Sequence, residues 1–159
     1  MTQQVKIIEF ESYHLLSIDL QEEQKYFLDC FNDPSQIIEY GESLKLNSTI
    51  TNDNKPCAWT AIKDNTIIGC GGIINIQGHI GEAWTLLGKD FKRYAHRIAP
   101  IIRRQAHMTN LIRIYALVDA GFERAERFLK WIGFEYEGTT KRSGVNLQDQ
   151  KLYAIVKEI

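Results

Sequence analysis

The stretch from residue 111 to 140 constrains the fold most, because its hydrophobic period changes twice. Residues 111–118 (Leu-Ile-Arg-Ile-Tyr-Ala-Leu-Val) carry the β-branched and aromatic residues of a buried strand. Asp119-Ala120-Gly121 is a turn, with Asp119 a candidate helix N-cap. Phe122, Ala125, Phe128, Leu129 and Ile132 then recur at helical spacing, and Gly133 stands where a helix C-cap wants a glycine. Residues 134–140 return to a strand pattern. A strand, short amphipathic helix and strand in this order require a sheet that the helix can cover.

The preceding residues supply more strands. Runs at 57–63 and 66–76, joined by Asp64-Asn65, predict a hairpin, and 80–87 predicts a third strand. Gly69, Gly71 and Gly72 inside the second run point to a bulge or a close backbone approach. Phe91, Tyr94, Ala95, Ile98, Ile101 and Ile102 predict a helix over 91–108, kinked or restarted at Pro100. Towards the N-terminus the pattern predicts a strand at 5–10 and helices within 12–31 and 34–46. Polar loops are expected at 47–56 and 141–150, and a last strand at 152–156. The expected class is α/β (α+β): one domain over 1–159, with a mixed central sheet flanked by helices.

A net charge of −1 argues against a protein that coats nucleic acid. Three cysteines, Cys30, Cys57 and Cys70, without a CxxC spacing argue against a disulfide framework or a zinc site, so no metal is expected and a reducing cytoplasm is the simplest setting. No secretory signal is read at the N-terminus and no run is long and apolar enough to span a membrane. Trp59, Trp84 and Trp131 are expected to pack.

The order of elements resembles the GNAT N-acetyltransferase superfamily. The resemblance rests on Arg113-Ile114-Tyr115-Ala116-Leu117-Val118-Asp119, the short helix, and Trp131-Ile132-Gly133-Phe134-Glu135-Tyr136-Glu137-Gly138, which matches the family's Gly-Phe-x-x-x-Gly close. Ile67-Ile68-Gly69-Cys70-Gly71-Gly72 looks like its central strands, and Glu82-Ala83-Trp84-Thr85-Leu86-Leu87 falls where the family places its cofactor-contacting strand. A narrower resemblance is to divergent GNAT-like proteins of tailed bacteriophages.

The resemblance implies acetyl-CoA as cofactor, bound by a core at 57–138, and an acceptor side built from helices at 12–46 and the loop at 139–150. It implies that the backbone of Thr85, Leu86 and Leu87 pairs with the pantetheine amides. By position, Lys92, Arg93, Tyr94, Ala95, His96 and Arg97 would form the pyrophosphate loop, where a helix N-terminus attracts anions. Glu82 becomes the candidate general base, with Trp84 to keep water from it. Tyr115 and Tyr136 are candidate proton donors, with Tyr115 favoured. His79 is expected to be exposed. The chain departs from the family pattern in two places: the glycines of the pyrophosphate loop are replaced by a basic stretch, and Phe122 and Leu129 stand where an Asn and a Tyr are usual.

Three functions follow as expectations. The first is an acyl-CoA-dependent N-acyltransferase carrying acetyl from acetyl-CoA to a small-molecule or protein amine. The second is a catalytically silent GNAT-fold phage protein with a structural or host-interaction role. The third, a nucleic-acid module using the basic helix with Arg103 and Arg104, lacks an aromatic platform.

Overall fold

The structure, a computed structural model, describes residues 4–50 and 55–159. Residues 51–54, in the polar loop expected at 47–56, and 1–3, at the N-terminus where no secretory signal was read, lie outside these.

Strand β1 (Lys6–Glu9) leads into two short 3₁₀ turns, Ser12–Leu16 and Glu22–Gln24, then helix α1 (Lys25–Asp29). The helix expected within 12–31 is therefore broken. Leu20 instead bridges to Gly88 and Gln21 N–H donates to Leu87 O at 3.0 Å, so tertiary pairing overrides the apolar spacing. Helix α2 (Pro34–Asn47) starts with Asp33 as N-cap, its carboxylate accepting from Gln36 N–H at 3.2 Å, and Pro34 in the first turn. Short strands β2 (Thr49–Ile50) and β3 (Lys55–Pro56) pair with each other.

The remaining elements are β4 (Ala58–Lys63), β5 (Thr66–Gln77), β6 (Ile80–Leu87), α3 (Phe91–Met108), β7 (Arg113–Asp119), α4 (Glu123–Ile132), β8 (Glu135–Thr140) and β9 (Gln150–Val156). Among the described residues they form, with β1, a seven-stranded sheet in the order β1-β4-β5-β6-β7-β9-β8. Every neighbouring pair is antiparallel except β6–β7. The mixed, helix-flanked sheet expected from the sequence is what the chain forms.

Alternate residues of each strand face two cores. On one face, Ile98 and Ile102 of α3 and Phe128 and Ile132 of α4 pack on Ile68, Leu87 and Ile114. On the other, Phe10, Leu15 and Leu44 pack on Ala58, Cys70 and Leu86. Burying each such side chain contributes roughly 1.5–3 kcal/mol.

Both expected irregularities of β5 occur. The β4–β5 register shifts between Ala61 and Ile62, and a Cβ at Gly71 would lie 2.5 Å from the Trp59 ring. Trp59 is buried, whereas Trp131 is 54% exposed at the end of α4 and does not pack as expected. Helix α3 continues through Pro100 with no restart; Pro100 and His96, whose carbonyl loses its N–H partner there, are both exposed. Asp119 does not cap α4, since its carboxylate is taken by Tyr26 and Gln150. Gly133 ends α4 in the left-handed region (φ +115°), its N–H donating to Leu129 O and Lys130 O at 3.1 Å.

Candidate active site where β6 and β7 part

The parallel β6–β7 ladder is short. Ile80 pairs with Arg113, Gly81 with Ile114 and Glu82 with Tyr115, and the two strands then separate. Each keeps its other neighbour, β5 or β9, along its further course. The sheet thus opens between 83–87 and 116–119, and a cavity of about 470 Å³ passes through the opening.

The cavity has walls on both sides of the sheet. On the α4 side it is lined by Phe122, Ala125, Phe128 and Leu129. On the other side it is lined by Tyr26, Phe27, Tyr40, Glu82 and Trp84, with Ser143, Gly144 and Val145 from the β8–β9 loop. The strands themselves contribute Ala83, Thr85 and Leu86 from β6 and Ala116 to Asp119 from β7.

Glu82 sits at the apex of the opening. The Tyr115 hydroxyl donates to its Oε2 at 3.4 Å. Burial, then the nearby Glu82 charge and this hydrogen bond, raise the Tyr115 pKa. Tyr115, the cross-strand partner of Glu82, meets it from the neighbouring strand and is not among the cavity walls. Tyr136 lies on β8, exposed, with its hydroxyl on Thr139 at 2.7 Å. His79 is exposed, and its Nδ1 is 3.3 Å from Asn110 O.

At the mouth, the Tyr26 hydroxyl donates to Asp119 Oδ2 at 2.7 Å, and Gln150 Nε2 donates to Asp119 Oδ1 at 3.1 Å. Gln148 Nε2 donates to the Tyr26 hydroxyl at 3.3 Å, tying the β8–β9 loop to α1. Burial and then the bond to Asp119 push the Tyr26 pKa up to about 12. Tyr40 is pushed up to about 12 by burial, then by the charges of Cys30 and Glu82. Glu82 and Asp119 are the ionisable carboxyls of the lining, and no Lys or Arg is among the described lining residues.

The β6 edge facing the opening is read by Gln24. Its Nε2 donates to Thr85 O at 2.9 Å and its Oε1 accepts from Leu87 N–H at 2.7 Å. Thr85 and Leu87 thus present backbone groups away from β5, as pairing with a pantetheine amide requires, while Leu86 turns its side chain into the core beside Phe10.

The basic stretch is arranged differently from a glycine loop. Helix α3 begins at Phe91, directly after Gly88, Lys89 and Asp90, and the Asp90 side chain does not cap it. Lys92, Arg93, His96 and Arg97 are exposed on the first turns. The Tyr94 hydroxyl accepts from Lys63 Nζ, which lies 4.7 Å from the ring centroid, and Ala95 is buried in the core. None of these six residues lines the cavity. The backbone edge of β6 and the opening beside it fit the arm of acetyl-CoA, and the helix start beyond Gly88, whose Phe91 and Arg93 N–H groups already donate to Gly88 O and Asp90 O, offers its phosphates exposed basic side chains. The apolar Phe122 and Leu129 are the part of the lining that offers it no polar partner.

Gln24, Tyr26, Tyr40 and Asp119 were not singled out from sequence as site residues. Their only signal there was position, within 12–46 and at the end of a strand beside the expected opening.

No family model matches the chain, and no protein of curated function matches it. Solved structures do. A GNAT-family acetyltransferase from Bacillus anthracis superposes with a TM-score of 0.69 at 19% identity, covering 98% of this chain and 97% of its own. The yncA protein of Salmonella typhimurium, solved with its cofactor acetyl-CoA, gives 0.69 at 10% identity over 97% and 94%. Mutant forms of the spermidine/spermine N-acetyltransferase SpeG from Vibrio cholerae give 0.67 at 18% identity over 97% and 95%. The fold of this chain is the GNAT acetyltransferase fold.

Proposed function

We propose that the chain is an acyl-CoA-dependent N-acyltransferase that moves an acetyl group from acetyl-CoA to an amine. The observation that carries this reading is the parting of β6 and β7 immediately beyond the Glu82–Tyr115 pair, which connects a backbone edge to a carboxylate through one cavity.

When bound, acetyl-CoA supplies an activated acyl group as a thioester. The backbone groups of Thr85 and Leu87 would hold its arm along β6, with Leu86 between them in the cavity wall. The phosphates would meet chiefly the exposed charges of Lys92, Arg93, His96 and Arg97 at the start of α3, because the Phe91 and Arg93 N–H groups already donate to Gly88 O and Asp90 O at 3.0 and 3.1 Å. Tyr94 and Ala95 shape this turn rather than touch the phosphates, since their N–H groups lie within the helix ladder and their side chains face Lys63 and the core. Glu82 would take the proton from the attacking amine as the C–N bond forms and the thioester C–S bond breaks, and coenzyme A would leave as the thiolate and take its proton from solvent. Tyr115, beside Glu82 on the neighbouring strand and donating to it, orients that carboxylate. The acceptor enters between α1, α2 and the β8–β9 loop, where Glu82, Asp119 and the rings of Tyr26, Phe27 and Tyr40 favour a protonated amine in the encounter.

A thermal-shift titration with acetyl-CoA, followed by an acetyl-transfer assay on a panel of small amines and peptides, tests the reading. A rise in melting temperature that saturates with ligand is expected. No shift at millimolar acetyl-CoA and no transfer to any amine would overturn it.

A further inference from the structure

Gln24 makes two hydrogen bonds to groups spaced as a strand partner would need them. On a strand edge, the C=O of one residue and the N–H two residues on face the same way. Gln24 takes this pair at Thr85 and Leu87, donating at 2.9 Å and accepting at 2.7 Å. Its primary amide therefore continues the ladder that β7 abandons after Tyr115.

The contact is local to this side chain. The segment that carries it is held independently: Gln21 N–H donates to Leu87 O at 3.0 Å, Gln21 Nε2 to Gly88 O at 3.1 Å, and Lys89 N–H to Asp19 O at 2.9 Å. Gln24 itself is only partly buried, so its side chain can rotate away while the backbone stays. A carbonyl has two lone pairs and can serve two donors, but the Leu87 N–H has one proton. An arriving amide that needs this proton and Gln24 cannot both have it.

We propose that Gln24 is an internal competitor for the acyl-CoA slot: its amide satisfies the β6 edge and must yield Leu87 N–H to the amide of the pantetheine arm. This rests on the acyl-CoA reading above. Affinity for any ligand with such an arm is then lowered by the fraction of molecules in which Gln24 holds the edge.

The test is calorimetric binding of coenzyme A and of adenosine 3′,5′-bisphosphate, which lacks the arm, to the wild-type chain and Gln24→Ala. Two hydrogen bonds of ordinary net strength, each worth about fivefold, predict that Gln24→Ala binds coenzyme A about 25-fold more tightly. Adenosine 3′,5′-bisphosphate should bind both proteins equally. In the wild-type chain, coenzyme A should speed solvent exchange of the Gln24 side-chain amide protons, seen by NMR, a readout that needs no variant. Equal or weaker binding of coenzyme A to Gln24→Ala, or Gln24 protons that coenzyme A leaves as protected as before, would overturn this proposal alone. Failure of both proteins to bind either ligand would overturn the acyl-CoA reading and this proposal with it.

Discussion

Glu82 and Tyr115 occupy the last shared rung of β6 and β7, and the Tyr115 hydroxyl reaches the Glu82 carboxylate at 3.4 Å just where the strands part. Glu82 faces the cavity and Tyr115 does not. Glu82→Gln keeps the size of the side chain and removes its basicity. A positioned general base contributes on the order of a hundredfold or more, so kcat should fall by at least about that factor. Coenzyme A affinity, measured by calorimetry, should not change.

Tyr115→Phe removes one long hydrogen bond to Glu82. The expected loss in kcat is about fivefold, the worth of one ordinary hydrogen bond. Burial, the Glu82 charge and their hydrogen bond raise this phenol above its usual 10.0, so it stays a donor throughout the neutral range. Any alkaline limb that it sets in the pH–rate profile should lie above pH 10 and disappear in Tyr115→Phe.

Asp119 accepts from Tyr26 and Gln150 at the mouth of the cavity. If it attracts a protonated acceptor, Asp119→Asn should raise KM for cationic amines by about tenfold, the loss of one charged hydrogen bond. The loss should shrink as salt is added, because screening weakens the attraction. An unchanged KM across salt concentrations would rule out this role.

These site residues were unevenly legible in the sequence. β6 and α3 were read at their observed bounds because each has one clear period and one buried face. Residues 12–31 were not, because Leu16, Leu20, Phe27 and Phe31 keep helical spacing while the chain at Leu20 and Gln21 pairs with residues 87 and 88. Asp119 looked like a helix cap and instead holds Tyr26, more than ninety positions earlier in the chain. Gln24 carried no local signal at all, since its meaning comes from Thr85 and Leu87. The position of Glu82 beside the opening was visible because its strand was read at its bounds and the family resemblance placed a carboxylate there.

The buried carboxylate Glu126 gives a stability prediction. It accepts from the Tyr153 hydroxyl at 2.5 Å and from Lys151 Nζ at 3.0 Å. Burial alone would raise its pKa, but these donors outweigh burial and hold it below the usual 4.5. A depressed folded-state pKa stabilises above pH 4.5, and that contribution is lost as the pH falls through the lower folded value. For Tyr153, raised from 10.0 to about 12 by burial and Glu126, the contribution is full below pH 10 and is lost towards about 12. Urea denaturation should find Glu126→Ala about 2–3 kcal/mol less stable at neutral pH, because a buried hydroxyl loses its acceptor. The gap between wild type and Glu126→Gln should narrow below pH 4.5.

Gly71→Ala tests the packing of β5. The added methyl would meet the Trp59 ring at 2.5 Å, and Trp59 is buried and cannot retreat freely. Overpacking of this kind costs about 1–3 kcal/mol, readable as a lower urea midpoint with an unchanged slope.

The position of β9 sets an order of assembly. It lies between β7 and β8 and is antiparallel to both, yet it follows them in sequence. Helix α4 and the left-handed turn at Gly133 therefore carry the chain past a gap one strand wide before anything fills it. Until residues 150–156 arrive, β8 has no neighbour to pair with and this half of the sheet cannot grow in chain order. Contacts that must wait for a later segment slow folding. The rate at which this half of the sheet forms should therefore depend on how fast β9 threads into its place, more than on the helical strength of α4.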